Sequence, residues 1–481
     1  MAVARAYAAR AAWGGVLVAG FAAVAALNLP GHLPYDSVTG LWEGRHLQRI
    51  SWGPRMYAAI LGAFDRIAPG VGLYTAFQMA LLGLAWAALP QLRRRTAWSG
   101  PLALALAFAL PQVLIFQGVV WRDVLFANLT VLAFVALALA SAAWDRRARR
   151  WPLLAVGVVA LAVGALVRQN GGVVIGAWAL ALGWIAAKGS WRRAALWAAG
   201  GLAAPLLLVG VLDHANPVRE SPNRRHGVGM RLLARYDLVA ALAKDPAYPV
   251  PILAADDPVA LAIVRRQASL AYSPERIDLL GRDAALNAAL RRFHKPAITA
   301  AWREMILADP AGYAARRFEL FRWVLTTPEL SRCVPLHLGV DGRADLEAAL
   351  GLVHGQRPRD RALYAYVAPW FPTPAYSHLS YAMVAAAVSV VLLIRRSPPD
   401  IAIAGLLAGA LGFVATFFVL SLACDYRYLY ALDLAALTGL LYLAVDPSLR
   451  RGASGTASLG GSSGKAASSA ARTSSSKCAR M

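Results

Sequence analysis

Cysteine is nearly absent. The 481 residues hold three, with no Cys-x-x-Cys and no Cys/His cluster, which argues against a structural zinc site. Cys333 and Cys424 fall in segments that share a compartment, which leaves pairing open, and two free or buried thiols are the favoured reading. There is no Gly-rich phosphate loop and no Gly-x-Ser-x-Gly, so neither ATP-driven transport nor an elbow serine hydrolase is expected. Of the eight histidines, His32 and His46 flank the first outer loop without metal-ligand spacing, and the other six are scattered and read as structural. Acidic residues are scarce, 26 against 49 basic, for a formal charge of +23.

What is abundant is apolar surface. Fifty-eight per cent of the residues are hydrophobic and the mean hydropathy is +0.50. Ten apolar segments have the length of bilayer spans, at roughly 11–29, 71–90, 100–116, 124–143, 151–167, 171–187, 194–212, 376–394, 401–421 and 427–445. The first reads as a retained anchor, because no small-x-small cleavage site follows it. Met56–Phe64 is too short to cross and reads as re-entrant or interfacial. The chain is therefore expected to be an all-α polytopic membrane protein of about ten transmembrane helices. Its richness in Ala, Leu and Arg suggests a GC-rich bacterial genome.

Charge between the spans sets the orientation. Alternate connectors and the termini carry 20 Lys and Arg, including Arg93–Arg95, Arg146–Arg150 and Arg395–Arg396. The opposite set carries seven: Arg45, Arg49, Arg55, Arg66, Arg122, Arg168 and Arg427. The positive-inside rule places the richer side, with both termini, in the cytoplasm. The net charge then reflects topology, and nucleic-acid binding is not needed to explain it.

The expected layout is a transmembrane region over 1–212 with a first outer loop at 30–55, a periplasmic helical domain over 213–375, spans over 376–446, and a cytoplasmic tail over 447–481. The outer stretch is near charge balance, with 22 basic and 17 acidic residues. Helical periodicity runs through Val259–Leu270, Pro274–Phe293, Ile298–Leu307 and Pro310–Leu325. Ser273-Pro and Asp309-Pro look like capped helix starts. The tail from Gly452 is rich in Gly, Ser and Ala and is expected to be disordered.

The polar clusters that look chemical all fall on the outer face. They are Tyr35-Asp36-Ser37 with Glu43 beyond it, Trp121-Arg122-Asp123, Arg168-Gln-Asn170-Gly, and Asp425-Tyr-Arg427-Tyr428. A charge at a span end can snorkel or pair structurally, so each alone is weak. Four on one face point to a site. Asp433, deeper in the last span, stays ambiguous between a site role and a structural pair.

These residues, together with the large outer stretch before the last spans, resemble the polytopic GT-C class of glycosyltransferases. That resemblance implies transfer of a sugar from a polyprenyl-phosphate donor to a cell-envelope glycan, lipid or protein, at the periplasmic face of the bacterial inner membrane. It implies Asp36 as the catalytic carboxylate, with Asp123 as a second catalytic candidate. Arg168 and Arg427 are the first choices for the donor phosphate and Arg122 the third. Tyr35, Trp121, Asn170 and Tyr428 are candidate substrate contacts. Many members carry two adjacent acids where this chain has Asp36 alone, so a divalent cation (Mg or Mn) is left open. The alternatives are a transporter or flippase of a lipid-linked or anionic substrate, or a glycan ligase.

Overall fold

A computed structural model describes residues 2–220 and 228–448. The Gly/Ser/Ala-rich tail expected to be disordered lies outside the described residues, and so does 221–227. Among the described residues strand is confined to Gln48–Arg49 paired with Arg219–Glu220 and a few isolated bridges; the rest of the regular structure is helical. Eight helices are long and apolar enough to cross a membrane: Ala4–Asn28, Gly72–Leu92, Arg122–Ala142, Arg147–Val167, Trp191–His214, His378–Arg395, Pro398–Leu420 and Tyr426–Val445. This fits an all-α membrane protein.

The two remaining apolar segments fold as helices but fall short of straight spans. Ser99–Ala109 and Pro111–Gly118 meet at 72°. The cause is Pro111. Its ring excludes Leu110 from helical backbone, and Leu110 is extended at φ −71°, ψ 135°. Gly172–Ala186 has 15 residues, about 22 Å at 1.5 Å per residue, against a hydrocarbon core of about 30 Å. Gly189, at φ +85°, lies in the turn beyond it.

The helix ends sort into two groups. At one end, which we call the basic end, Arg10 donates to Pro90 O (2.5 Å) and Ala97 N–H to Val445 O (2.9 Å). There Asp400 is the hub. It pairs with Arg93, stands 3.6 Å from Arg395, and accepts from the Tyr442 hydroxyl (3.0 Å). It also closes a capping box with Ser397 at the start of Pro398–Leu420.

At the other end, the segment after the first helix is threaded between two others. His32 N–H donates to Gly118 O and Val120 N–H to His32 O, both at 2.9 Å; Leu33 N–H donates to Gly339 O at 2.8 Å. The chain then forms the Tyr35–His46 helix, which packs on Arg55–Ile67. The short Met56–Phe64 segment is thus part of an amphipathic helix lying against the first loop. Gly44 and Gly62 allow the close crossing. A Cβ on Gly44 would come within 2.0 Å of Ala58 O, and one on Gly62 within 2.3 Å of Gly44 O. Arg45 closes the pair with two bonds to Asp65, at 2.8 and 2.7 Å.

The polar stretch 213–375 divides its apolar residues between two cores. Tyr236, Leu261, Leu286, Met305 and Leu320 belong to a satellite core of their own, whereas Val324, Leu346, Leu363 and Val367 join the main bundle core. Asp309 caps Pro310–Thr326, as its Asp-Pro pattern indicates. Ser273-Pro does not start a helix. It forms a turn, and the expected Pro274–Phe293 helix is broken into Asp278–Arg282 and Ala284–Arg292. The break serves packing: Glu275 O accepts from Cys424 N–H at 2.7 Å, and Arg276 bridges to Ala423.

Cys333 and Cys424 are joined in a disulfide, with Cα atoms 4.9 Å apart, which corrects the free-thiol reading. The segments run side by side, with a parallel bridge between Val334 and Asp425 and a bond from Tyr426 N–H to Val334 O (3.2 Å).

Candidate active site

Four short segments from distant parts of the chain meet around a cleft of roughly 750 Å³, counting its open mouth. Each is set by its local structure. Asp36 lies in the first turn of Tyr35–His46, where a carboxylate suits the helix dipole. Trp121 precedes Arg122–Ala142, so Arg122 and Asp123 occupy its first turn. Arg168 follows Arg147–Val167 in extended backbone. Asp425 caps the turn Tyr426–Leu429 that opens the last span.

Arg427 is the hub. Its Nη2 donates to Asp36 Oδ2 (2.9 Å) and its Nε to Asp425 Oδ2 (2.7 Å), while Asp123 Oδ2 stands 4.0 Å from Nε. Arg168 Nη1 faces Asp123 Oδ1 at 2.5 Å. The Arg168 guanidinium is flanked by the rings of Phe417 (5.5 Å) and Tyr428 (5.4 Å), and that of Arg427 lies over Trp121 (5.2 Å). The Asp36 side chain is 35% exposed and that of Asp123 3%. Asp36 therefore meets solvent and Asp123 does not.

Burial works against ionisation of Asp36, but the Arg427, Arg122 and Arg168 guanidiniums outweigh it and hold its carboxyl below the ordinary value. At Asp425 the balance is reversed: burial dominates, with Asp123 and Asp36 adding to it, and its carboxyl is pushed up despite Arg427. Burial also lowers Arg168, partly offset by Asp123. A guanidinium nevertheless keeps its charge at any ordinary pH.

The sequence-derived candidates separate into layers. Tyr35, Asp36, Trp121, Arg122 and Arg427 line the cleft. Asp123, Arg168 and Tyr428 stand behind its wall, bearing on Arg427. Asn170 turns elsewhere, and its amide donates to Thr416 Oγ1 at 2.8 Å, tying the turn after Arg168 to the Pro398–Leu420 helix. Glu43 lines the cleft but is occupied, since its Oε1 accepts from Ile50 N–H (2.8 Å) and Ser51 N–H (2.5 Å).

Tyr57 and Arg343 also line the cleft and were not singled out from sequence. Ser37 and Tyr57 both donate to Val120 O, Tyr57 at 2.8 Å. Arg343 reaches the cleft from the start of the Ala344–Leu350 helix, which packs on Tyr35–His46, and is paired with Asp345 at 2.5 Å. Nothing in Gly-Arg-Ala-Asp marks it. His32 carries the loop: Asn28 Oδ1 lies 3.1 Å from its Nε2, and its Nδ1 accepts from Gly339 N–H at 3.1 Å. This fixes the neutral ring protonated at Nε2. Trp52 stacks under Arg122 at 4.9 Å.

Three polar atoms here are buried without a hydrogen bond, Trp121 Nε1, Arg122 Nε and His337 Nε2, while the two Asp123 oxygens meet guanidiniums as ion pairs. Among the described residues no three His, Cys, Asp or Glu side chains are grouped to hold a metal ion. The cleft carboxylates Asp36, Asp123 and Asp425 already face guanidiniums, an arrangement that does not fit a resident cation.

No family model, no curated protein and no solved structure matches the chain.

Proposed function

We propose that the cleft transfers a sugar from a polyprenyl-phosphate donor to a cell-envelope glycan, lipid or protein, with Asp36 as general base. The observation that carries this reading is the convergence of Asp36, Arg122 and Arg427 on one cleft at the ends of the apolar helices. A lipid-borne phosphate reaches that place with its chain still among the helices.

The chemistry follows from the residue types. The acceptor hydroxyl oxygen bonds to the anomeric carbon as the carbon–oxygen bond to phosphate breaks. The electron pair leaves with the phosphate and the hydroxyl proton passes to Asp36. Being ionised and partly exposed, Asp36 is ready to accept it. Guanidiniums oppose the charge that grows on the leaving phosphate. Asp123 and Tyr428 act one layer back, keeping Arg168 and Arg427 in place.

The charge count supports a cleft on the non-cytoplasmic side, which in this reading is the periplasmic face of a bacterial inner membrane. The Cys333–Cys424 bond supports the same side, since disulfides persist in oxidising compartments. No specific observation favours the transporter or ligase alternatives.

The test is a membrane assay with candidate polyprenyl-phosphate sugars. Asp36→Asn is expected to lower transfer by about 10²–10⁴-fold. Unchanged transfer by a well-expressed variant removes Asp36 as the base. A topology reporter at Asp36 that reads cytoplasmic overturns the orientation.

A further inference from the structure

Three arginines surround the cleft cluster, and they are not equivalent. Arg427 is engaged by Asp36 and Asp425, and Arg168 faces Asp123 at 2.5 Å. Arg122 is only 7% exposed, yet among the described residues it has no hydrogen bond and no ion pair. Its Nε is buried and unpartnered, and its plane rests on Trp52 at 4.9 Å. Its neighbour Trp121, 2% exposed, turns an indole N–H to no acceptor. Both residues line the cleft, as does Arg343.

A buried guanidinium with no hydrogen-bonded partner is costly, as is any buried donor without an acceptor. Guanidinium and indole N–H offer donors only. What would satisfy both is an acceptor-rich anion entering the cleft, and the flat guanidinium on its tryptophan is preset for two parallel bonds to such a group. We infer that Arg122, with the Trp121 indole N–H, is the seat of a phosphate-type anion, and that Arg427 and Arg168 organise carboxylates instead of taking the anion themselves. This deepens the transfer reading and rests on it for the anion's origin in a lipid phosphate. It also reverses the order in which the sequence ranks the three arginines. An anion on Arg122 lies beside Asp36, so its charge offsets the guanidiniums and strengthens Asp36 as a base while the site is filled.

The experiment measures binding, independently of transfer. The full-length protein in detergent is titrated with a long-chain prenyl phosphate, by native mass spectrometry or calorimetry, with inorganic pyrophosphate and phosphatidylglycerol as competitors. Arg122→Gln is expected to weaken prenyl-phosphate binding by about tenfold or more. Arg122→Lys should restore part of it, and Trp121→Phe should weaken it about threefold while keeping the ring. Arg168→Lys is expected to stay within about threefold of wild type. Competition by pyrophosphate supports recognition of the phosphate group itself; competition by phosphatidylglycerol alone supports a seat open to lipid phosphates in general. Wild-type affinity in both Arg122→Gln and Trp121→Phe overturns the inference, as does a tenfold loss confined to Arg168→Lys. Should Arg122→Gln fail to fold, Arg122→Lys and Trp121→Phe carry the test. Binding that depends on Arg122, with no transfer from any prenyl-phosphate sugar, sinks the transfer reading and leaves the seat standing.

Discussion

The two ends of the bundle each hold a knot of aspartates and arginines, and they differ in how completely it is satisfied. At the basic end Asp400 receives Ser397, Tyr442 and Arg93, with Arg395 3.6 Å away. Arg395 in turn donates to Asp446 O at 2.9 Å. Apart from Arg93 Nε, that knot is closed. At the cleft end Arg122 Nε and Trp121 Nε1 lack hydrogen bonds beside a cleft, while Asp123 is held by Arg168 and Arg427 as ion pairs. Similar residues thus do different things. A closed knot fastens helices together, whereas one left open around a cavity is arranged for something that comes and goes.

The comparison breaks most visibly at Asp400. Asp400→Ala leaves the buried Arg93 guanidinium without its carboxylate and is expected to cost about 3–5 kcal/mol, read as a lowered melting temperature of the purified protein. Asp36→Asn, at the partly exposed edge of the other knot, should change stability by less than about 1 kcal/mol while abolishing transfer. If the two stability losses are equal, the distinction between a fastening and a working knot fails.

Next in size is the Cys333–Cys424 bond, which closes a loop of sequence separation 91 and holds the segment carrying Asp425 and Arg427. Replacing both cysteines by alanine is expected to cost about 2–4 kcal/mol by chain entropy. The cleft end should loosen while the basic end stays intact, which limited proteolysis mapped from each terminus would reveal.

The third prediction is a pH dependence at the cleft end. Burial lowers His32 to about 4 from its ordinary 6.5. The unfolded chain then binds this proton first as pH falls, so stability is fully present above 6.5 and is lost progressively between 6.5 and about 4. The loss reaches about 3 kcal/mol at most, and His32→Asn should flatten the slope over that window. Asp36, depressed instead, keeps its pair with Arg427 until pH falls below its ordinary 3.8, so it adds nothing to that slope. The smallest effect is expected at the helix crossing beneath the cleft, where Gly44→Ala should cost about 1–3 kcal/mol by overpacking and open the first loop.

Much of the site was legible in sequence because charge beside a membrane span is rare enough to need a reason. Alternating connectors put Asp36, Arg122, Asp123, Arg168 and Arg427 on one face, and the structure brings them together. Charge alone says nothing of rotation about a turn. Asn170, two residues from Arg168, points to Thr416 instead. It also does not reveal which charges are already satisfied: Glu43 looks as chemical as Asp36 until its two backbone donors are seen. The disulfide was hidden because its partners are far apart in sequence and meet through a parallel bridge that no local pattern announces. The break at Pro111 was readable from the proline, but the long apolar run around it masks the signal.

The pairing of Asp36 with Arg427 spans 391 residues. A ribosome working at about 5–20 residues per second takes about 20–80 s to travel from one to the other. Through that interval the first loop has been made, yet it lacks both the arginine hub and the Gly339 segment that pins His32. The cleft is thus among the last things the chain completes. A nascent chain carries Asp36 and His32 without these contacts, and the cluster closes only when the final helix is in place.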